Sequence, residues 1–150
     1  MRNIFLKLSF LSILMTLTSC IGKRGISNEI SITNHDYSEV EKFQISWNEI
    51  FDIDLNQYLV YVYSKRCSHC QNIKNQIIDY ALKEENMYFV EFKDDVKVTI
   101  DIKNTIGVSS VSDLSILGTP SLIEITNHEV SNNLAGEKAI LDFLKIPSPD

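Results

Sequence analysis

Cysteine is scarce in this chain: its 150 residues contain three, and no run of apolar residues is long. Three cysteines are too few for the disulfide framework that holds many small secreted domains together. The charge-free stretch over residues 8–19 is shorter than the ~20 residues that a membrane-spanning helix needs. Acidic residues outnumber basic ones, 20 to 14, which argues against nucleic acid and anionic lipid surfaces as partners. The composition leaves room for one compact domain with a hydrophobic core.

The first twenty residues have the pattern of an export signal. Arg2 and Lys7 precede an apolar core over residues 8–17, and no acidic residue interrupts it. The ending Leu17-Thr18-Ser19-Cys20 resembles the lipobox of bacterial lipoproteins, which implies cleavage before the cysteine and attachment of lipid to it. We therefore expect residues 1–19 to be a lipoprotein signal peptide. Cys20 would then anchor an extracytoplasmic chain to a bacterial membrane.

The rest of the chain divides by composition. Residues 20–40 carry Gly, Ser, Asn and Thr with little apolar periodicity, and we expect a lipidated cysteine followed by a flexible tether there. His35 falls in this tether and is expected to be solvated. Residues 41–146 form the predicted domain, and residues 147–150 a short C-terminal tail.

Hydrophobic periodicity predicts an α/β domain with a mixed sheet. A helix before the first strand is predicted from apolar residues at helical spacing, namely Val40, Phe43, Trp47, Ile50 and Phe51. The following elements are a strand at 58–63, a helix at 71–82, strands at 87–92, 121–126 and 129–134, and a closing helix at 137–144. Strand, helix, strand implies a parallel crossover, and the Asn127-His128 turn implies an antiparallel hairpin. Residues 94–117 hold no more than one or two short helices.

Two cysteines stand where the first strand meets the following helix, in Cys67-Ser68-His69-Cys70. A strand that ends there brings Cys67 to a helix N-terminus, where unpaired N–H groups and the helix dipole favour a thiolate. Cys70 follows on the same helical face. A disulfide enclosing two residues constrains the unfolded chain little but can open and reclose by exchange. The motif indicates a redox-active dithiol, although zinc half-sites and soft-metal carriers space two thiols in the same way.

A second motif follows 50 residues later, where Gly118-Thr119-Pro120 opens a strand that leads into the hairpin, Gly136 and the closing helix. With the CxxC upstream, the chain from about Phe43 to Ile146 resembles the thioredoxin superfamily. The resemblance implies a thioredoxin-like fold in which Pro120 is cis and its loop packs beside the dithiol. It also implies that Thr119 and Pro120 dock the substrate backbone.

The motif departs from thioredoxin in two respects. Lys65-Arg66 precede it and Ser68-His69 fill it, where thioredoxins usually carry Trp and Gly-Pro. The acidic residue that many thioredoxins bury beneath the second cysteine would fall near Tyr61, and no carboxylate is there. The sequence therefore gives no proton acceptor for Cys70.

His69 bears on the direction of electron flow. An imidazolium or a ring N–H beside the Cys67 sulfur would stabilise its thiolate, and Lys65 and Arg66 would add to the field. A stabilised thiolate makes the couple more oxidising. A histidine before the second cysteine is similar to Dsb-type disulfide oxidants and protein disulfide isomerases. The other reading of His69 is a solvated residue that adds little.

The sequence predicts a membrane-anchored thiol/disulfide oxidoreductase that exchanges disulfides with protein substrates and is recycled by a membrane redox partner. Cys67 would attack, Cys70 would resolve the mixed disulfide, His69 would assist, and no cofactor is expected. Oxidation, isomerisation and specialised reduction of apocytochrome or other exported thiols remain open. The rival from another class is a lipoprotein that binds copper or zinc through Cys67, Cys70 and His69, but a structural zinc needs four ligands.

Overall fold

The computed structural model describes residues 34–149. The predicted signal peptide, Cys20 and the tether as far as residue 33 lie outside this range. The elements, in chain order, are 3₁₀ helices Tyr37–Phe43 and Trp47–Glu49, β1 Gln57–Tyr63, α1 Ser68–Glu84, β2 Met87–Glu91, a 3₁₀ helix Ile102–Thr105, β3 Ser121–Thr126, β4 Glu129–Ala135 and α2 Glu137–Leu144. Among the described residues, no helix combines the length and apolarity needed to cross a membrane.

A four-stranded mixed sheet forms the centre of the domain, in the order β2-β1-β3-β4. Strand β1 is parallel to β2, while β3 is antiparallel to both β1 and β4. Because β1 lies inside the sheet and both its faces are covered, six of its seven residues are buried, which explains its nearly continuous apolar sequence. The predicted α/β class, parallel crossover, C-terminal hairpin and terminal helix are all confirmed.

The two faces of the sheet carry separate core clusters. On one face, Tyr61 and Tyr63 of β1 pack with Cys70 and the apolar face of α1, together with residues of α2 and of the first 3₁₀ helix. On the other face, Val60 and Val62 pack with Trp47 and residues of the 94–117 segment. The alternation of side chains along β1 therefore assigns its odd-numbered residues to the α1 face.

Helix α1 joins β1 to β2 across one face of the sheet. Four residues of its apolar stripe are fully buried, namely Ile73, Ile77, Ile78 and Ala81. Each buried isoleucine stabilises the fold by roughly 1.5–3 kcal/mol. Leu82, the last residue of the predicted helix, is 39 % exposed. The C-cap residue Glu85 follows the helix, adopts φ 52° and donates its N–H to the Ala81 carbonyl.

The hairpin turn between β3 and β4 is where the sequence placed it. Asn127 and His128 both have positive φ, 52° and 63°, as the two central residues of a type I′ turn require. This turn matches the twist of the flanking strands and pairs Thr126 with Glu129. A β-bulge at Glu124/Ile125 then shifts the register by one residue, so that Ser121 pairs with Ala135. His128 is exposed at the tip of the turn.

The prediction of a single helix before β1 is wrong. Two short 3₁₀ helices take its place, because the residues between them contact the edge of the sheet instead of continuing a helix. Gln44 bridges Phe89 of β2 in parallel, and the Ile45 N–H donates to the Phe89 carbonyl at 2.9 Å. The apolar residues Val40, Phe43, Trp47 and Ile50 are buried nonetheless. The periodicity identified the buried positions and misassigned the backbone between them.

In the 94–117 segment, the structure contains one short helix, the 3₁₀ turn Ile102–Thr105, which agrees with the expectation of one or two. An isolated parallel bridge between Val98 and Ile116 closes the segment into a loop. Leu114 and Ile116 are fully buried and attach the loop to the sheet.

His35 is buried, contrary to the prediction that it is solvated in a flexible tether: its exposed fraction is 6 %. Its ring nitrogens contact Glu39 Oε2 at 2.8 Å and Asp79 Oδ1 at 3.0 Å, and its backbone N–H donates to Asn75 Oδ1 at 2.9 Å. These contacts attach the segment before residue 41 to α1. The sequence did not reveal them because Asn75 and Asp79 lie 40 residues or more away along the chain.

The His35 cluster predicts a stability that depends on pH. The Glu39 carboxylate, and then Asp79, raise the pKa of His35 above 6.5 against the opposing effect of burial. Protonated His35 therefore stabilises the fold fully below pH 6.5, and this contribution is lost as pH rises through the folded-state pKa. We expect His35→Gln to lower the free energy of unfolding by about 1 kcal/mol at pH 5.5 and by clearly less at pH 8.5, measured by urea unfolding. The exposed His128→Asn is the control, and an equal loss at both pH values would contradict the ion-pair account.

Candidate functional site

The two cysteines lie at the junction of β1 and α1. Cys67 is the N-cap residue of α1, and its sulfur accepts the backbone N–H of Cys70 at 3.2 Å. The side chain that caps the helix is thus the same one the sequence assigned to redox chemistry. A sulfur at this position faces the unpaired N–H groups and positive dipole end of the helix, an environment that favours negative charge. Both cysteines are free thiols in the structure.

The two thiols differ in their access to solvent. Cys67 is partly exposed, whereas Cys70 is fully buried against the sheet. Burial, together with the adjacent Cys67 sulfur, raises the pKa of the Cys70 thiol to about 12. The accessible thiol can meet another protein, and the buried one can react only with its neighbour.

The Thr119-Pro120 loop lies beside the dithiol. Cys67 Sγ donates to the Thr119 carbonyl at 3.3 Å, across 52 residues of sequence. The Thr119–Pro120 peptide bond is cis, and Pro120 is buried while Thr119 is partly exposed. Gly118 precedes them with φ 147°, a backbone conformation that side chains disfavour. The structure therefore brings together Cys67, Cys70, Thr119 and Pro120, four of the predicted site residues.

The His69 side chain is hydrogen bonded to a carboxylate of α2. It is 70 % exposed, and Nδ1 forms a short hydrogen bond with Glu137 Oε1 at the start of α2. Asn72 Nδ2 donates to the same carboxylate oxygen at 3.1 Å. The predicted contact between a ring N–H and the Cys67 sulfur is not among the hydrogen bonds of His69 in the structure. Glu137 is a site residue that sequence reasoning missed, since nothing in the local pattern links positions 69 and 137.

Lys65, which was expected to add positive field, also has a carboxylate partner. Its Nζ lies 3.0 Å from Glu91 Oε2 at the end of β2. Strands β1 and β2 are parallel, so their carboxyl ends bring Lys65 and Glu91 together at the edge where the cysteines lie. The positive charge of Lys65 near the dithiol is therefore partly offset by the Glu91 carboxylate, which the sequence Lys65-Arg66 did not predict.

A groove of about 600 Å³ runs from His69 along the Thr119-Pro120 loop to the first turn of α2. Gly136 and Glu137 form its far side. The Gly136 N–H donates to the Pro120 carbonyl at 2.9 Å and so ties the two walls together. The Cys67 sulfur adjoins this groove through its contact with the carbonyl of Thr119, one of the lining residues.

A metal site, the rival interpretation of the motif, would need further ligands beside the two cysteines. Across residues 34–149, no group of three or more His, Cys, Asp or Glu side chains is arranged to hold a metal ion. His69, the third donor of the rival interpretation, is hydrogen bonded to Glu137 instead.

Comparison with known proteins gives structural likeness only. No protein-family model matches the sequence, and no curated protein does. Similar solved structures include mitochondrial thioredoxin 3 from Saccharomyces cerevisiae in its oxidised form, with 10 % identity, coverage of 73 % of this chain and 96 % of that one, and a TM-score of 0.48. Thioredoxin f from spinach chloroplast, in its short form, has 11 % identity, coverage of 68 % and 88 %, and a TM-score of 0.47. Chlamydomonas reinhardtii thioredoxin f2 has 12 % identity, coverage of 71 % and 98 %, and a TM-score of 0.41.

Identities this low say nothing about activity, so the fold assignment rests on the topology of the chain itself. A parallel β1–α1–β2 unit carries the cysteine pair at its first turn, and an antiparallel β3–β4 hairpin follows Pro120. By that topology the chain has a thioredoxin-like fold.

Proposed function

We propose that this protein is an extracytoplasmic thiol/disulfide oxidoreductase that exchanges disulfides with protein substrates through Cys67 and Cys70. The observation that supports this most is the pairing of an accessible Cys67, held at a helix N-terminus beside the Thr119 carbonyl, with a buried Cys70 one turn later. A structural disulfide or a buried structural thiol would need neither the exposure of Cys67 nor the adjoining groove.

The exchange proceeds in two steps, and every bond that forms or breaks involves a sulfur atom of this protein or of the substrate. The Cys67 thiolate attacks a substrate disulfide, forms a mixed disulfide and releases one substrate sulfur as thiolate. Cys70 then loses its proton and attacks the Cys67 sulfur. The Cys67–Cys70 bond forms, the bond to the substrate breaks, and the second substrate sulfur leaves with the electron pair and takes up a proton. The cysteine pair is oxidised and the substrate reduced, and the reverse sequence oxidises a substrate.

The groove would orient the substrate for these steps. A substrate strand docked along Thr119 and Pro120 would present its sulfur to Cys67, with Gly136 and Glu137 on the opposite wall. Positioning of this kind raises the rate because the reacting atoms are held at near-attack distance. Oxidation, isomerisation and reduction of exported thiols share this geometry, and a membrane redox partner would set the direction.

Membrane attachment through Cys20 is part of the proposal and is supported by the lipobox-like sequence alone. Lipid on Cys20 would hold the protein in the membrane by acyl-chain insertion. We expect Cys20→Ser to move the protein from the membrane fraction to the soluble fraction after cell breakage. Retention of Cys20→Ser in the membrane fraction would contradict the lipid anchor without touching the redox proposal.

The roles of the two thiols predict opposite outcomes for their serine variants. Cys67→Ser removes the attacking sulfur and should reduce turnover of a disulfide substrate such as insulin to background. Cys70→Ser keeps the first step and removes the second, so mixed disulfides should accumulate and appear as higher-mass bands on non-reducing gels. The exposed Ser68→Ala serves as the matched control. Turnover by Cys67→Ser at the wild-type rate would refute the proposed function.

The Glu137–His69 pair predicts how the reduction potential responds to charge. Glu137→Gln removes a negative charge next to the dithiol, which should stabilise the thiolate and make the couple more oxidising. His69→Ala leaves Glu137 without its partner and should make the couple more reducing. An exposed pair is worth 0.2–1 kcal/mol, so each shift should be about 5–20 mV in thiol/disulfide buffers. Glu129→Gln at the far end of the hairpin is the control, and shifts of the same sign in both variants would contradict the account.

A further inference from the structure

Two buried tyrosine hydroxyls in the α1-side cluster, those of Tyr37 and Tyr61, interact only weakly with their surroundings. They lie near each other, yet among residues 34–149 neither forms a hydrogen bond of normal geometry, and both are shielded from solvent. Neighbouring tyrosines are satisfied, since Tyr58 donates to the Ile50 carbonyl at 2.6 Å and Tyr63 is bonded to Gln44. A buried polar group without a hydrogen bond of normal geometry costs free energy and calls for an explanation.

Both hydroxyls belong to the cluster that contains Cys70. Tyr61 lies on the face of β1 that meets the first turn of α1, and Tyr61 and Cys70 are both fully buried there. The Tyr37 ring stacks on Tyr63 with a centroid separation of 3.8 Å, which places it on the same side of the sheet. Burial raises the pKa of both phenols, and a negative charge on Cys70 raises it further. Each hydroxyl is therefore close enough to Cys70 to interact electrostatically with its sulfur.

Cys70 must ionise during the proposed exchange, and its surroundings oppose this. It is fully buried, and burial raises its pKa. Tyr61 occupies the place where the thioredoxin resemblance would put a carboxylate, so no carboxylate accepts the proton there. Some other group has to favour the thiolate if the buried sulfur is to attack Cys67.

We propose that Tyr61, assisted by Tyr37, is a positioning residue whose hydroxyl turns toward the Cys70 sulfur and donates a hydrogen bond to the thiolate as it forms. The inference rests on the proposed function and names the group that supports its second step. The phenols act as donors and not as bases, because they remain protonated throughout. Neither hydroxyl is held by a hydrogen bond of normal geometry, so turning toward the Cys70 sulfur breaks no strong bond. Such contacts are commonly long in the resting protein and tighten in the reacting state.

This step needs no further oxidant, reductant or proton donor besides solvent. The Cys70 proton leaves to solvent, the thiolate attacks Cys67, and the Cys67–Cys70 bond replaces the bond to the substrate sulfur. The substrate sulfur departs with the electron pair and is protonated in turn. The tyrosine hydroxyls are unchanged at the end of the step. In the reverse direction they stabilise Cys70 as the leaving thiolate.

The test is the release of glutathione from a Cys67–glutathione mixed disulfide. The protein is loaded with glutathione at acidic pH, mixed rapidly into buffers between pH 6 and pH 10, and quenched with acid. Tyr61→Phe should slow release about tenfold or more at pH 7, the effect expected for one hydrogen bond to a charged sulfur. The rising limb of the pH–rate profile should move upward by about one pH unit. Tyr37→Phe should change both in the same direction by less.

Urea unfolding of the variants distinguishes a role of Tyr61 in the reaction from a role in packing the core. Tyr61→Phe loses no hydrogen bond of normal geometry in the reduced protein, so its urea midpoint should equal or exceed that of the wild type. Tyr58→Phe, on the other face of β1, loses its bond to Ile50, so its midpoint should fall while glutathione release stays at the wild-type rate. Comparable slowing in Tyr58→Phe would assign the effect to packing and overturn the inference.

Two outcomes distinguish the inference from the function on which it rests. Wild-type release rates and pH profiles in Tyr61→Phe and Tyr37→Phe would overturn the tyrosine role and leave the oxidoreductase proposal intact. A wild-type protein that forms no mixed disulfide, or never releases glutathione from it, would overturn both. If Tyr61→Phe does not fold, Tyr37→Phe decides the question by the same two readouts.

Discussion

The packing of β1 against α1 is the interaction on which the site depends. Strand β1 ends at Tyr63, three residues bridge the gap, and Cys67 caps the helix that returns across the sheet. Because α1 buries Ile73, Ile77 and Ile78 against the strand face that carries Tyr61 and Tyr63, its first turn cannot move without opening the core. Cys70 is held in that turn. The hydrophobic effect thus fixes the position of one sulfur, and helix capping fixes the other.

The second half of the domain supplies the other wall of the site. Strand β3 pairs with β1, so the loop that precedes it, Thr119-Pro120, is delivered next to the end of the β1–α1 turn. The Gly136 N–H bonds the Pro120 carbonyl, and Glu137 reaches across to His69 and Asn72. The groove is consequently bounded by segments that are distant in sequence and joined through the sheet. In the proposed function, Glu137 would link substrate docking to the charge near the dithiol.

The sequence predicted most of the fold because its signals are local. The buried strand over residues 58–63, the Asn127-His128 turn and the apolar stripe of α1 all follow from periodicity or turn chemistry within a few residues. The cysteine pair and the Thr119-Pro120 motif were also readable, and the structure places them together. The single helix before β1 failed because pairing of Gln44 with Phe89 overrides helical spacing. The burial of His35, the His69–Glu137 bond and the surroundings of the buried tyrosine hydroxyls depend on contacts across 20 to 70 residues, which no local pattern reveals.

In the proposed function, Cys67 and Cys70 form a reversible disulfide with a functional reduction potential. The most direct measurement equilibrates the protein in glutathione buffers of graded potential and counts free thiols by the mass added on alkylation. The account predicts a single two-electron transition in which Cys67 and Cys70 lose reactivity together, at a potential above the ≈ −300 mV typical of structural disulfides. Two thiols that remain fully alkylated across the whole range, or a disulfide that glutathione never reduces, would contradict it.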